Sequence, residues 1–371
     1  MKVENVIIWG AGLNGLKLKR DLDQCMGNVK VSFFCDNNIK KQGYKLDGIE
    51  ILSYDQIIQM YKSGWQGSII ISVIELTGIV DQIRRSDLNA KVYGTSYKWY
   101  FQENGHCKSA MDFLYEIDIM KPRLDYYEYH VSWHCNLKCK GCIHFSNVAK
   151  KEFGDLEKYK KDICRLKELF WGVRMIRLMG GEPLLNRELS DFCIATRNVF
   201  PDSNIRVATN GLLIPNLDAE VLKVMSENGI GFDITQYPPT EELKERIELK
   251  CIESNVRFSM TPLRDKFYDS NNLAGDSDGE LEWKHCMSND CHFLEDGHIA
   301  VCALPILHEK YRSVLNSKLE ICDGDIIDLY DERLDGFSLN DRLSKPIPMC
   351  RYCNARTPKW FEWQGNYPWM Q

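Results

Sequence analysis

The stretch His134-Cys135-Asn136-Leu137-Lys138-Cys139-Lys140-Gly141-Cys142 constrains this chain more than any other. It sets three cysteines in the order C-x3-C-x2-C. Tyr126 to Trp133, just ahead, is β-branched and aromatic enough for a strand, so the cysteines sit on a loop leaving a strand end. Three thiols on one short loop can hold three irons of a cubane cluster, because thiolate is the ligand such clusters take. No fourth cysteine stands beside them, which leaves one iron open to a substrate or cofactor. Zinc is the alternative. Structural zinc sites pair two C-x2-4-C knuckles, however, and only the isolated Cys164 follows nearby.

Further on, Arg174 to Met179 reads as a short buried strand ending in Gly180-Gly181-Glu182-Pro183. Two residues without Cβ at a strand end let a ligand approach the backbone. The cysteine spacing and this tetrapeptide together resemble the radical S-adenosylmethionine (radical SAM) superfamily. The resemblance implies a [4Fe-4S] cluster on Cys135, Cys139 and Cys142, with its open iron chelated by S-adenosylmethionine. Reductive cleavage would then yield a 5′-deoxyadenosyl radical. It also implies that Gly180, Gly181, Glu182 and Pro183 bind the methionine ammonium, and that Thr209 and Asn210, at another strand end, lie by the ribose. One departure stands out. Many relatives carry an aromatic residue before the third motif cysteine, where this chain has Gly141, so adenine packing is expected from Phe145 or Ile143.

With 371 residues, the chain can bury two or three cores. Its 44% hydrophobic and 27% charged residues are an ordinary globular mixture. A net charge of −6 with no basic run argues against nucleic acid. No apolar run approaches the ~20 residues of a membrane helix, and the first residues lack the apolar core of a signal peptide. Fifteen cysteines in such a chain point to metal rather than disulfides, and to a reducing cytoplasm.

The fold class expected is α/β. Val6-Ile7-Ile8-Trp9 runs into Gly10-Ala11-Gly12-Leu13-Asn14-Gly15, a G-x-G-x-x-G between a strand and a helix whose apolar face includes Leu13, Leu16 and Leu22. Asp36 ends the next strand, about 20 residues past the glycines, where a dinucleotide fold places its ribose-binding acid. Gly10, Gly12, Gly15 and Asp36 are therefore candidate ligand residues. Helices at 54–61 and 76–85 and strands at 68–74 and 91–94 complete a small Rossmann-like domain over 1–100. The turn after Asp36 and the strand near Gly48 resemble the N-terminal nucleotide-sugar-binding domain of sugar acyltransferases. Scaffolding without a ligand is the other reading. Residues 101–124 read as a linker, with an amphipathic helix over 111–120 stopped by Pro122.

From 125 to 265 strands and helices alternate, with helices at 156–170, 187–200, 218–228 and 240–250. This rhythm implies a parallel sheet, which the resemblance narrows to a partial (β/α)6 barrel. Residues 266–371 are cysteine-rich, with a hairpin expected at Asp296-Gly297. Here the chain resembles the twitch domain, a short form of the SPASM domain. The resemblance implies one auxiliary [4Fe-4S] cluster on Cys286, Cys302, Cys350 and Cys353, with Cys291 as the alternative to Cys286. Spacing alone leaves a zinc ribbon open. The tail aromatics Trp360, Phe361, Trp363, Tyr367 and Trp369 read as core or lid packing. Cys25, Cys35, Cys107, Cys164 and Cys193 read as buried small hydrophobes.

These resemblances point to a radical SAM enzyme of oxidoreductase or epimerase type that abstracts hydrogen from a carbohydrate or nucleotide sugar. An auxiliary cluster could take the second electron of a dehydrogenation, and a flavodoxin or ferredoxin would be the electron donor. A small sugar-type substrate is favoured over the peptide that many twitch relatives modify. A non-enzymatic iron–sulfur nucleotide-binding protein is the reading from outside catalysis. No residue is singled out as the catalytic acid or base.

Overall fold

The computed structural model describes residues 4–25, 29–86, 88–101, 113–315 and 319–366. Cys107, Met111, Tyr367 and Trp369 lie outside the described residues, as does the side chain of Cys25. The chain forms two compact units, Met1–Arg123 with Pro201–Ser203, and Leu124–Phe200 with Asn204–Gln371.

In chain order the first unit comprises β1 (Glu4–Trp9), α1 (Leu13–Cys25), β2 (Val29–Cys35), β3 (Lys45–Leu46), β4 (Ile49–Leu52), α2 (Tyr54–Lys62), β5 (Ser68–Ile71), α3 (Thr77–Arg85), β6 (Val92–Thr95) and β7 (Leu114–Glu116). Its sheet order is β3-β4-β2-β1-β5-β6-β7. The strands from β4 to β6 run parallel, and β7 closes the edge antiparallel to β6. Every residue of β5 is buried, as a central strand covered on both faces requires. Ser53 and Gln56 form a capping box that starts α2. In α1 the burial falls to Leu18 and Leu22, whereas Leu13 is 88% exposed at the first turn, contrary to the expected face.

The expected linker also differs. Phe113 is buried in this core, stacked at 6.1 Å on Trp99, and Leu114–Glu116 is a strand where a helix was expected. An open sheet edge and a core vacancy for Phe113 outweigh the weak helical pattern of so short a segment. The first unit accordingly runs past residue 100 to Arg123.

The second unit comprises β8 (Arg123–Ser132), α4 (Leu156–Leu169), β9 (Gly172–Gly180), α5 (Leu189–Val199), β10 (Asn204–Thr209), α6 (Ala219–Glu227), β11 (Gly231–Ile234), α7 (Pro238–Glu241), α8 (Lys244–Glu253), β12 (Phe258–Met260), β13 (Lys266–Asp269), α9 (Gly279–His285), β14 (Phe293–Glu295), β15 (His298–Ala300), α10 (Leu304–Leu315), β16 (Ile327–Asp328), α11 (Gly336–Leu343) and β17 (Lys359–Glu362). Its main sheet has the order β12-β11-β10-β9-β8-β14-β15-β16. Strand alternation sorts the side chains. Tyr127, Tyr129 and Val131 of β8 join the core under the helices, while Tyr126, Glu128 and His130 lie buried on the other face.

Five strands, β8 to β12, carry the alternating α/β pattern. The sixth parallel strand is β14, which comes from the cysteine-rich tail and pairs with β8. The boundary expected at 265/266 therefore does not separate two bodies. Phe293 and Leu294 are wholly buried, on the strand that pairs with β8. The Asp296-Gly297 hairpin is present, with both residues at positive φ (45° and 79°), as a two-residue turn demands. Cys35 and Cys193 are buried, but Cys164 is exposed, because the stripe of α4 set by Tyr159, Ile163 and Leu166 passes beside it.

Candidate functional site

The cysteine loop leaves the end of β8 and lies directly against the end of β9. Gly181 N–H donates to the Ser132 carbonyl at 2.8 Å and Glu182 N–H to the His134 carbonyl at 3.0 Å. A Cβ on Gly180 would stand 2.1 Å from the Ser132 oxygen, and one on Gly181 2.1 Å from the His134 oxygen. The two glycines thus let two backbones touch, and Gly180 also takes a φ of +123°.

This contact opens a cavity of about 280 Å³ into which Cys135, Cys139 and Cys142 all face. Gly180, Gly181, Thr209 and Asn210 line the same cavity. Asn210 Nδ2 donates to Asn136 Oδ1 at 2.7 Å and to Cys135 Sγ at 3.6 Å. Leu137 N–H also donates to Cys135 Sγ, at 3.3 Å.

Glu182 and Pro183, expected to contact the cofactor, do not line the cavity. The Glu182 carboxylate is fully buried and accepts from Thr209 Oγ1 (2.6 Å), Asn210 N–H (3.0 Å) and Leu184 N–H (3.1 Å). It ties the ends of β9 and β10 together. Burial pushes its carboxyl up to about 7 despite these donors. Pro183 is buried at the first position of a short 3-10 turn.

Gly141 faces the tail. Its φ is +69°, and a Cβ there would come within 2.7 Å of Phe361 Cζ. An aromatic side chain at this position would need space that Phe361 already fills. Of the two residues expected to pack adenine instead, Ile143 lines the cavity. Phe145 does not; its ring packs on His308 and Tyr311.

Several lining residues carried no motif. Arg264 and Lys266 stand at the cavity with Tyr237, Phe267 and Tyr268, and among the described residues no Asp or Glu lines it. His144 also lines it, with Nδ1 at 2.9 Å from Nε2 of the fully buried His130. Burial pushes His144 down to about 4. These positions come from the cysteine loop, the start of α7 and the segment from Arg264 into β13, so only the fold assembles them.

A second, much smaller cavity is lined by Cys286, Cys302, Cys350 and Cys353. Cys286 ends α9, Cys302 follows β15, and the other two sit on a 3-10 turn at Pro348–Tyr352 and just after it. Cys291 does not line this cavity. Among the described residues, no three His, Cys, Asp or Glu side chains converge on a single-ion site.

In the first unit, a Cβ on Gly15 would collide with the Gly10 carbonyl and one on Gly10 with Ser72, so both serve packing of β1 against its neighbours. Of the three motif glycines Gly12 alone is open, with nothing among the described residues within 4 Å of a Cβ there. Asp36 accepts from Ala11 N–H (2.9 Å), Asn38 N–H (2.9 Å) and Lys41 Nζ (2.8 Å). Burial works against its charge, but these donors outweigh it and hold the carboxyl below its usual range. Its oxygens are thus engaged within the fold.

Residues 130–256 match the Radical SAM superfamily. GTP 3',8-cyclase of Alkaliphilus oremlandii is 24% identical over 180 residues, covering 44% of this chain and 52% of that protein. GTP 3',8-cyclase of Geobacter sulfurreducens is 31% identical over 107 residues, covering 28% of this chain and 32% of that protein. The chain spans about half or less of the length of these curated relatives. Among solved structures, BtrN in complex with AdoMet and 2-DOIA aligns with 63% of this chain and 94% of its own, at 19% identity and a TM-score of 0.40. No helix among the described residues is long and apolar enough to cross a membrane.

Proposed function

We propose that the radical SAM domain at residues 130–256 holds a [4Fe-4S] cluster on Cys135, Cys139 and Cys142 and cleaves S-adenosylmethionine to abstract hydrogen from a nucleotide-linked or otherwise phosphorylated sugar. The observation that carries this reading is the convergence of three thiols from one loop on a single cavity, opposite Gly180, Gly181, Thr209 and Asn210. The donor set fits the group: all three loop thiols line the cavity, and among the described residues no carboxylate lines it with them. When bound, such a cluster supplies the electron for reductive cleavage of the sulfonium.

The chain's own residues do the remaining work. Gly180 and Gly181 leave backbone within reach of the cofactor's methionine end, and Asn210 Nδ2 anchors the cysteine loop through Asn136. Arg264 and Lys266 give the cavity a positive wall, and Tyr237, Phe267 and Tyr268 give it flat apolar faces. Cations set among aromatic rings suit a phosphate-bearing ligand with a ring to stack. The curated relatives are named for chemistry on GTP, a ligand of the same charge class.

Cys286, Cys302, Cys350 and Cys353 would hold an auxiliary [4Fe-4S] cluster, the acceptor for a second electron in a dehydrogenation. A zinc tetrahedron brings its sulfurs within about 4 Å of one another. The four thiols line one small cavity, which supports a shared site for them. In the first unit, Gly12 and the carboxyl ends of β1 and β5 remain the place for a nucleotide or nucleotide sugar.

The test is turnover. Anaerobically reconstituted protein, given dithionite, S-adenosylmethionine and a panel of uridine diphosphate sugars, should form 5′-deoxyadenosine faster with one of them. The sugar should lose a hydrogen pair if it is oxidised, or gain deuterium from heavy water if it is epimerised. R264E with K266E should raise KM for that sugar at least about tenfold, the effect of losing a charge-assisted hydrogen bond of roughly 1.5–3 kcal/mol. Stimulation by peptides alone would overturn the sugar assignment.

A further inference from the structure

The last described segment of the chain reaches back to the cysteine loop. Lys138 N–H donates to the Gly365 carbonyl at 2.7 Å and Lys140 N–H to the Gln364 carbonyl at 3.0 Å, and an isolated bridge joins Lys138 to Asn366, so residues 364–366 are tied to the loop through the backbone. Upstream, β17 pairs antiparallel with β13, and Trp363 N–H donates to the Asp265 carbonyl at 2.7 Å. The Trp363 indole belongs to the same segment. One face stacks on Tyr237, with centroids 5.6 Å apart and planes 15° apart. A Cβ on Gly365 would fall 2.3 Å from its Cη2. Held this way, Nε1–H donates to Cys139 Sγ at 3.3 Å.

We propose that Trp363 is a positioning residue that sets the electron affinity of the radical cluster through this N–H···S bond. The inference rests on the reading of Cys139 as a cluster ligand. A hydrogen bond to a ligating sulfur draws negative charge off it, and hydrogen bonds to sulfurs are among the levers that set cluster potentials. The bond stabilises the more negative, reduced form most, so it makes the cluster easier to reduce. The indole is supplied by a part of the chain distant from the motif, and its placement depends on the strap of residues 359–366. Reduction of the cluster is thereby coupled to the tail being seated on the cysteine loop.

The experiment is an EPR-monitored redox titration of the full-length, anaerobically reconstituted protein, compared with W363F, W363H and G365A. W363F keeps a ring for Tyr237 but loses the donor, and the midpoint should fall by the equivalent of about tenfold in the reduction equilibrium, ~59 mV for one electron. G365A displaces an unaltered indole and should shift the midpoint in the same direction. W363H restores an N–H donor and should recover part of the loss. An unchanged midpoint in W363F and G365A, at wild-type iron content, overturns the proposal, as does an equal fall in W363F and W363H. Absence of any four-iron signal in the wild type would instead overturn the cluster reading on which it rests.

Discussion

At the scale of single residues, the informative positions are those where burial and chemistry conflict. Glu128 lies on β8, fully buried, with Tyr126 Oη donating to its Oε2 at 2.9 Å. Burial pushes its carboxyl up to about 7. A folded value above the unfolded one means that its contribution to stability is complete below the unfolded value and is lost as pH rises through the folded one. E128Q keeps the shape and an acceptor for Tyr126. Between about pH 4.5 and 7.5, the wild type should therefore lose stability relative to E128Q, on the order of 3 kcal/mol at the upper limit. Urea midpoints of the two apoproteins across that range measure this, and parallel pH profiles would contradict it. Glu182 meets the same conflict with three donors gathered around its carboxylate, and burial still pushes it up to about 7. From sequence, Gly-Gly-Glu-Pro reads as one ligand-binding unit; in the fold its glycines face the cavity while the Glu works inward.

At the scale of elements, much of the central region was legible. The strand before the cysteines, the buried strand ending in Gly180, and β10 ending at Thr209 follow from β-branched runs bounded by turn residues. Local pattern could not show which strands would meet. Nothing in Phe293-Leu294-Glu295 states that it will pair with β8, far away in sequence, rather than close a separate tail domain. The same holds for β7, whose pairing with β6 depends on an edge that only the finished sheet provides. Phe361 filling the space beside Gly141 was equally hidden, because the two residues lie in different elements. The sixth strand has a measurable consequence. Leu294 is wholly buried in the core of the second unit. L294A should destabilise that unit by about 2–5 kcal/mol, the range for a buried large-to-Ala change, and should loosen strands β8 to β12 as well as the tail. Hydrogen exchange confined to residues beyond 266 would show instead that the tail unfolds by itself.

At the scale of the whole molecule, the chain forms two compact α/β units. The first presents an open glycine at Gly12 on a parallel sheet whose other motif residues are taken up in packing and internal hydrogen bonds. The second gathers seven of the chain's 15 cysteines around two cavities, three in one and four in the other. Arg264, Lys266 and three aromatic residues line the first of these cavities, and the tail segment donates to Cys139 through Trp363. All of this depends on the three loop cysteines holding iron. The most direct measurement is the iron content and 5′-deoxyadenosine yield of the protein carrying Cys135→Ala, Cys139→Ala and Cys142→Ala together, reconstituted anaerobically beside the wild type. With no thiols left on the loop, the variant should hold about four fewer irons per chain and form no 5′-deoxyadenosine with dithionite and S-adenosylmethionine. Continued cleavage of S-adenosylmethionine by the triple variant would contradict the account.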